Sequence, residues 1–166
     1  MKDFRVELRW GLIFSLLTMI LGFVEKMYLG WHDKHIDQQM GGHFLILLTL
    51  YVVVFYLGIR EKRNYYYKNK MTWKEGIISG GMITVIVALL TPLSVFFIYH
   101  YASPDFFHNM IDYQTHKERF PMSRDNAEDF FNMGSYIILE ISTAFSFGIG
   151  VSALLALFLR TQKGDK

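Results

Sequence analysis

The chain has 166 residues, of which 52% are hydrophobic and 17% aromatic, with a mean hydropathy of +0.21 and a net charge of only +2. That is too apolar for an ordinary soluble domain, and no basic stripe with interleaved aromatics is present, which sets nucleic acid aside as a partner. The absence of cysteine excludes disulfides, thiolate nucleophiles and cysteine-ligated zinc or iron–sulfur clusters.

A hydrocarbon layer ~30 Å thick takes about 20 mostly apolar helical residues to cross. Four stretches approach that standard: Leu8–Tyr28, His43–Ile59, Gly76–Tyr101 and Tyr136–Leu159. Backbone amides in lipid must be satisfied within the segment, and none of the four alternates as a barrel strand does, so each is expected to be a helix. Residues 1–166 thus read as one all-α membrane domain, a four-transmembrane-helix bundle without repeat or low-complexity segment, and the lipid bilayer is its first partner.

The first stretch follows Met1-Lys2-Asp3, is too long for a signal-peptide core and lacks a small-residue cleavage pattern, so it is expected to stay as an anchor. A short loop, Gly30-Trp31-His32-Asp33-Lys34-His35, leads to the second stretch, the shortest and most uniformly bulky, which is expected to face lipid or a partner. Thr72 to Glu75 reads as a capping box opening the third helix, beside the interfacial aromatics Tyr65, Tyr66, Tyr67 and Trp73. Residues 102–135 form a long loop. In it Ser103-Pro104-Asp105 predicts an N-cap with proline at the first helical position, and Phe106, Phe107, Met110 and Ile111 fall on one face of an amphipathic helix expected to lie at the membrane surface. Ser123 is a candidate cap for a polar helix through Glu128.

Lys and Arg set the orientation, because positive charge is retained in the cytoplasm. Of 17 such residues, twelve fall on the side of the two chain ends: Lys2, Arg5, Arg9, Arg60, Lys62, Arg63, Lys68, Lys70, Lys74, Arg160, Lys163 and Lys166. The opposite side holds only Lys26, Lys34, Lys117, Arg119 and Arg124, with eight Asp or Glu and all six histidines. The expected arrangement is N-in/C-in, with the 102–135 loop outside.

Small residues at four-residue spacing let helices approach closely in lipid. Gly76, Gly80, Thr84 and Ala88 form one such face on the third helix, and Ala144, Gly148, Ser152 and Ala156 form another on the fourth. These two helices are expected to be the tightest pair, through contacts within the chain or through a homo-oligomer.

An ionisable group inside a span is costly and therefore a functional candidate. Glu25 and Glu140 each lie about one turn inside the outer end of a span, and Pro92 interrupts the third helix, where Thr91 and Ser94 offer hydroxyls to the freed carbonyls. If the first, third and fourth helices meet there, the two carboxylates face one another in an intramembrane polar site. The alternative is that Glu25 reaches outward or pairs with Lys26 or a loop histidine, and that Glu140 reaches headgroup water. Above them His32 and His35, spaced i, i+3, join His43 and Glu25 as a candidate metal set, against the plainer reading of interfacial anchoring.

Trp10-Gly11, Glu25-Lys26, Gly30-Trp31-His32-Asp33, Met71-Thr72-Trp73-Lys74 with Gly76, Ser79-Gly80, Pro92-Leu93-Ser94 and Ser103-Pro104-Asp105 together resemble a family of small four-helix bacterial membrane proteins. That family is common in Bacteroidota and catalogued only as a domain of unknown function. The resemblance implies a multi-pass protein of the bacterial inner membrane and no assigned activity or cofactor. Two readings follow: a non-enzymatic accessory or assembly component of a membrane complex, meeting a protein partner, or proton- or metal-linked binding or transport of a small molecule or ion at the outer Glu/His site. An enzyme acting on an outer-leaflet lipid ranks last, because no nucleophile or phosphate cradle is evident.

Overall fold

The computed structural model describes residues 4–27, 36–117 and 120–161, with the backbone alone for residues 36–42. Among the described residues the regular structure is helical throughout: α1 (Arg5–Met27), α2 (Ile36–Tyr65), α3 (Trp73–Phe97) continued by a π-helical turn (Ile98–Ala102), α4 (Phe106–His116), α5 (Arg124–Phe130) and α6 (Met133–Leu159). Arg5–Met27, His43–Tyr65, Trp73–Ala102 and Met133–Leu159 are long and apolar enough to cross a membrane, making the chain a multi-pass membrane protein. Their outward faces are apolar too: Leu12 and Leu16 on α1, Leu89 on α3 and Phe158 on α6 are exposed, which is costly in water and natural in lipid.

The four long helices form a ring. α3 and α6 share the most extensive interface, α1 packs on α2 and α3, α2 packs on α6, and α1 and α6 occupy opposite corners. Between α3 and α6 the small residues set the separation. A Cβ at Gly76 would stand 2.7 Å from that of Ala156, and Gly80 and Gly148 leave no room for one beside Ser152 and Thr84. Ala88 and Ala144 are buried as well.

α2 differs from its reading as a short, lipid-facing span. It runs for 30 residues, more than any other described helix, and it supplies Tyr51, Val54, Phe55 and Ile59 to the core. Hydropathy ends the span where Arg60 and Glu61 begin, but the helix continues because those polar turns bond to α1. Bulk on α2 fills the space that small residues leave elsewhere: Phe14 of α1 lies 4.5 Å from Tyr51 and 5.6 Å from Phe55 between ring centroids, and Tyr51 meets Phe147 of α6 at 5.8 Å.

The end of the bundle where α1 begins and α6 ends is closed by polar pairs. Glu7, 2% exposed, accepts from Lys62 Nζ and from Ser79 Oγ, each at 3.0 Å, tying α1, α2 and α3 together. Two and three residues along α1, Arg9 pairs with Glu61, and Trp10 Nε1 donates to the same carboxylate at 2.8 Å. Thr161 clips the end of α6 to the α2–α3 loop: its amide donates to Met71 O at 2.9 Å, and its hydroxyl donates to Asn69 O at 2.8 Å while accepting from the Met71 amide at 3.1 Å.

At the other end, α4 and α5 cap the bundle. Ser123 Oγ caps α5 through the Asn126 amide at 3.3 Å, while the Thr72–Glu75 capping box forms at the opposite end, where α3 begins, with Glu75 Oε2 accepting the Thr72 amide at 2.8 Å. Ser103 does not cap α4. It ends the π-helical turn instead, its amide donating to Ile98 O at 3.1 Å, and α4 begins two residues after Pro104. The amphipathic face of α4 also turns inward: Phe106 is buried against Tyr99 of the π-helical turn and Tyr136 of α6, with centroids 4.7 and 5.4 Å apart.

Candidate functional site

One face of α1 positions the site. Glu7, Gly11, Ser15, Thr18, Gly22 and Glu25 recur at spacings of three and four, a small and polar stripe on an otherwise leucine-rich helix. Gly11 and Gly22 are the points of closest approach to α3; a Cβ at Gly11 would stand 2.7 Å from that of Ile86, and one at Gly22 would stand 2.5 Å from Ile98 Cδ1. Beyond Gly11, Ser15, Thr18 and Glu25 line a cavity of about 760 Å³ in the half of the bundle under α4 and α5.

Glu25 and Glu140 enter this cavity from opposite corners of the ring. Glu25 is 4% exposed. Its Oε2 is bonded to His43 Nδ1 of α2 at 2.5 Å, while its Oε1 is buried and has no hydrogen-bond partner among the described residues. Glu140, half-buried on α6, lies within electrostatic reach of His43, Tyr51 and Tyr136. Deeper in the cavity Ser15 Oγ is also buried without a partner among the described residues. An unmet buried acceptor costs far more than a met one, so both atoms mark places where a further group can bond.

Thr91 and Ser94 line the same cavity, but Thr91 Oγ1 donates to Val87 O at 2.9 Å and Ser94 Oγ to Leu90 O at 3.4 Å. Each hydroxyl proton thus returns to its own helix one turn back, and neither goes to Ala88, whose carbonyl Pro92 deprives of its usual donor. Pro92 stands half-buried within α3 and is not among the described residues of the cavity wall. Of the metal set, His43 and Glu25 are joined by their hydrogen bond, and His32 and His35 lie outside the described residues. Among the described residues no three His, Asp or Glu side chains are grouped to hold a metal.

Sequence reasoning did not single out Ser15 or Thr18 and named Lys26 only as a pairing partner for Glu25, nor did it foresee the roof that α4 supplies through Met110, Tyr113, Gln114 and Lys117. The three-and-four spacing of small and polar residues on α1 was the available signal. Lys26 is buried, with Nζ 4.3 Å from the ring centroid of Phe106 and 5.8 Å from that of Tyr99, and Lys117 Nζ donates to Gln114 Oε1 at 2.5 Å.

Four membrane-length helices around a cavity of about 760 Å³ define a multi-pass α-helical membrane protein. The chain belongs to the family described as Protein of unknown function (DUF4199), whose sequence profile matches residues 9–161. No curated protein and no solved structure matches it.

Proposed function

We propose that this chain is a non-enzymatic binding component of a bacterial inner membrane, with both ends cytoplasmic, that takes a small amphiphilic molecule into the cavity beneath α4 and α5. The orientation is supported by the twelve Lys and Arg on the side of the chain ends, and the bacterial membrane by the resemblance to small four-helix proteins common in Bacteroidota. One observation carries the binding reading: Glu25 Oε1, buried and without a donor among the described residues, sits in the wall of a cavity of about 760 Å³ that His43 and Glu140 also line. A structural carboxylate one turn inside a span would be fully paired, whereas a binding carboxylate keeps an acceptor in reserve.

Native mass spectrometry of the protein purified in a mild neutral detergent tests the reading. A bound small molecule, present in the wild type and missing from Glu25→Gln, is the expected result. Equal and empty spectra for both proteins would overturn it and leave the accessory or assembly role, read through a protein partner.

A further inference from the structure

Resting on that binding reading, we infer that the ligand is an apolar molecule carrying one ammonium group, whose cation meets Glu25 Oε1 and whose body lies along the aromatic wall of the cavity. The unmet acceptor decides the class. Two carboxylates, Glu25 and Glu140, converge on the cavity, and no hydrogen bond joins Glu140 to another described residue. The basic groups are already engaged: His43 on Glu25 Oε2, Lys26 over the Phe106 ring, and Lys117 on Gln114. Contacts to a ring and to a neutral amide leave Lys26 and Lys117 charged, so the formal charges of the wall nearly balance; what selects is Glu25 Oε1, without a donor among the described residues, to which an ammonium supplies N–H donors and a carboxylate ligand supplies none.

The wall fits the same ligand. Phe14, Tyr51, Tyr136 and Phe147 line the cavity, and their rings attract cations as well as apolar carbon. Lys26 already shows the contact, its ammonium 4.3 Å from a ring of the same wall. The depth bounds the ligand's length. Ser15, the second unmet polar group, lies ten residues before Glu25 on α1, roughly 15 Å along the helix axis. An extended chain of about that length spans the two.

An ammonium with an apolar body occurs both as a free lipophilic amine and as the headgroup of an aminophospholipid, and the test separates these sources. Decylamine, decanol and decanoate are titrated into the purified protein in neutral detergent, for wild type, Glu25→Gln and Glu140→Gln; in a second arm phosphatidylethanolamine and phosphatidylglycerol compete with bound decylamine. The wild type is expected to bind decylamine about ten-fold more tightly than decanol, and decanoate least. Glu25→Gln is expected to hold decanol as before and to lose the amine preference, and Glu140→Gln to narrow it. Competition by phosphatidylethanolamine alone assigns the site to an aminophospholipid headgroup, and its failure to compete assigns it to a free amine. Equal affinity for amine and alcohol, or preference for decanoate, overturns the ammonium class while leaving a binding cavity. Failure of all three probes to bind overturns both the class and the cavity's role.

Discussion

The two ends of the bundle treat a buried carboxylate in opposite ways. At the end where α1 begins and α6 ends, both oxygens of Glu7 are met, by Lys62 and Ser79, and the next pair along, Arg9 with Glu61, is reinforced by Trp10. At the end capped by α4 and α5, Glu25 is as deeply buried, yet one of its oxygens has no donor among the described residues and faces a cavity. Arg63 Nε is an unmet atom at the paired end, and nothing in the structure explains it. The lesson is that desolvation alone does not make a residue functional. Glu7 and Glu25 incur it alike; what separates them is whether the fold returns the hydrogen bonds.

If the paired end holds the fold, breaking it has the largest effect. Lys62→Met leaves Glu7 buried without its counter-charge and is expected to lower stability by about 3–5 kcal/mol, read as loss of folded protein in a thermal ramp in detergent. Adding Glu7→Gln to Lys62→Met should recover much of that loss, because no uncompensated charge is left; a double variant worse than the single would mean that the pair matters by shape and not by charge. Gly148→Val, which forces a side chain onto Thr84 across the α3–α6 contact, is expected to cost about 1–3 kcal/mol by the same ramp. Thr161→Val removes the two hydroxyl bonds of the clip, to the Met71 amide and Asn69 O, keeps the amide bond to Met71 O, and should cost about 1 kcal/mol, with faster hydrogen exchange at residues 69–71 as its signature.

Much of this contrast was legible in the sequence, unevenly. The four spans follow from hydropathy because lipid leaves no other way to satisfy their backbones, and Glu25 and Glu140 stand out because a charge inside a span is rare. Glu7 escaped the same argument: it precedes Leu8, where the apolar run begins, so only the fold shows that it is buried. The length of α2 was hidden for a related reason, since its last polar turns are held by partners on α1 that lie more than 50 residues away in sequence. The capping box at Thr72 could be read because it is local, spanning four residues. At Ser103 the local signal misled, because the preceding helix claimed that residue for its own end. An amphipathic pattern at Phe106, Phe107 and Met110 says that a helix has an apolar face, not which surface covers it, and so the roof of the cavity could not be foreseen. Ser15 and Thr18 look alike in sequence, yet Thr18 Oγ1 bonds to Phe14 O and Ser15 Oγ has no such partner.

The smallest stability effect and the largest functional one are expected at the same residue. Glu25→Gln gives up an ion pair whose other member, His43, is 43% exposed at its side chain, and should cost less than about 1 kcal/mol. Comparing the unfolding of Glu7→Gln and Glu25→Gln in one detergent, with nothing added, therefore tests the account most directly. The account predicts a marked loss of stability for Glu7→Gln and little or none for Glu25→Gln. Equal losses for the two would contradict it, because Glu25 would then be a structural carboxylate like Glu7 and not one held ready for a ligand.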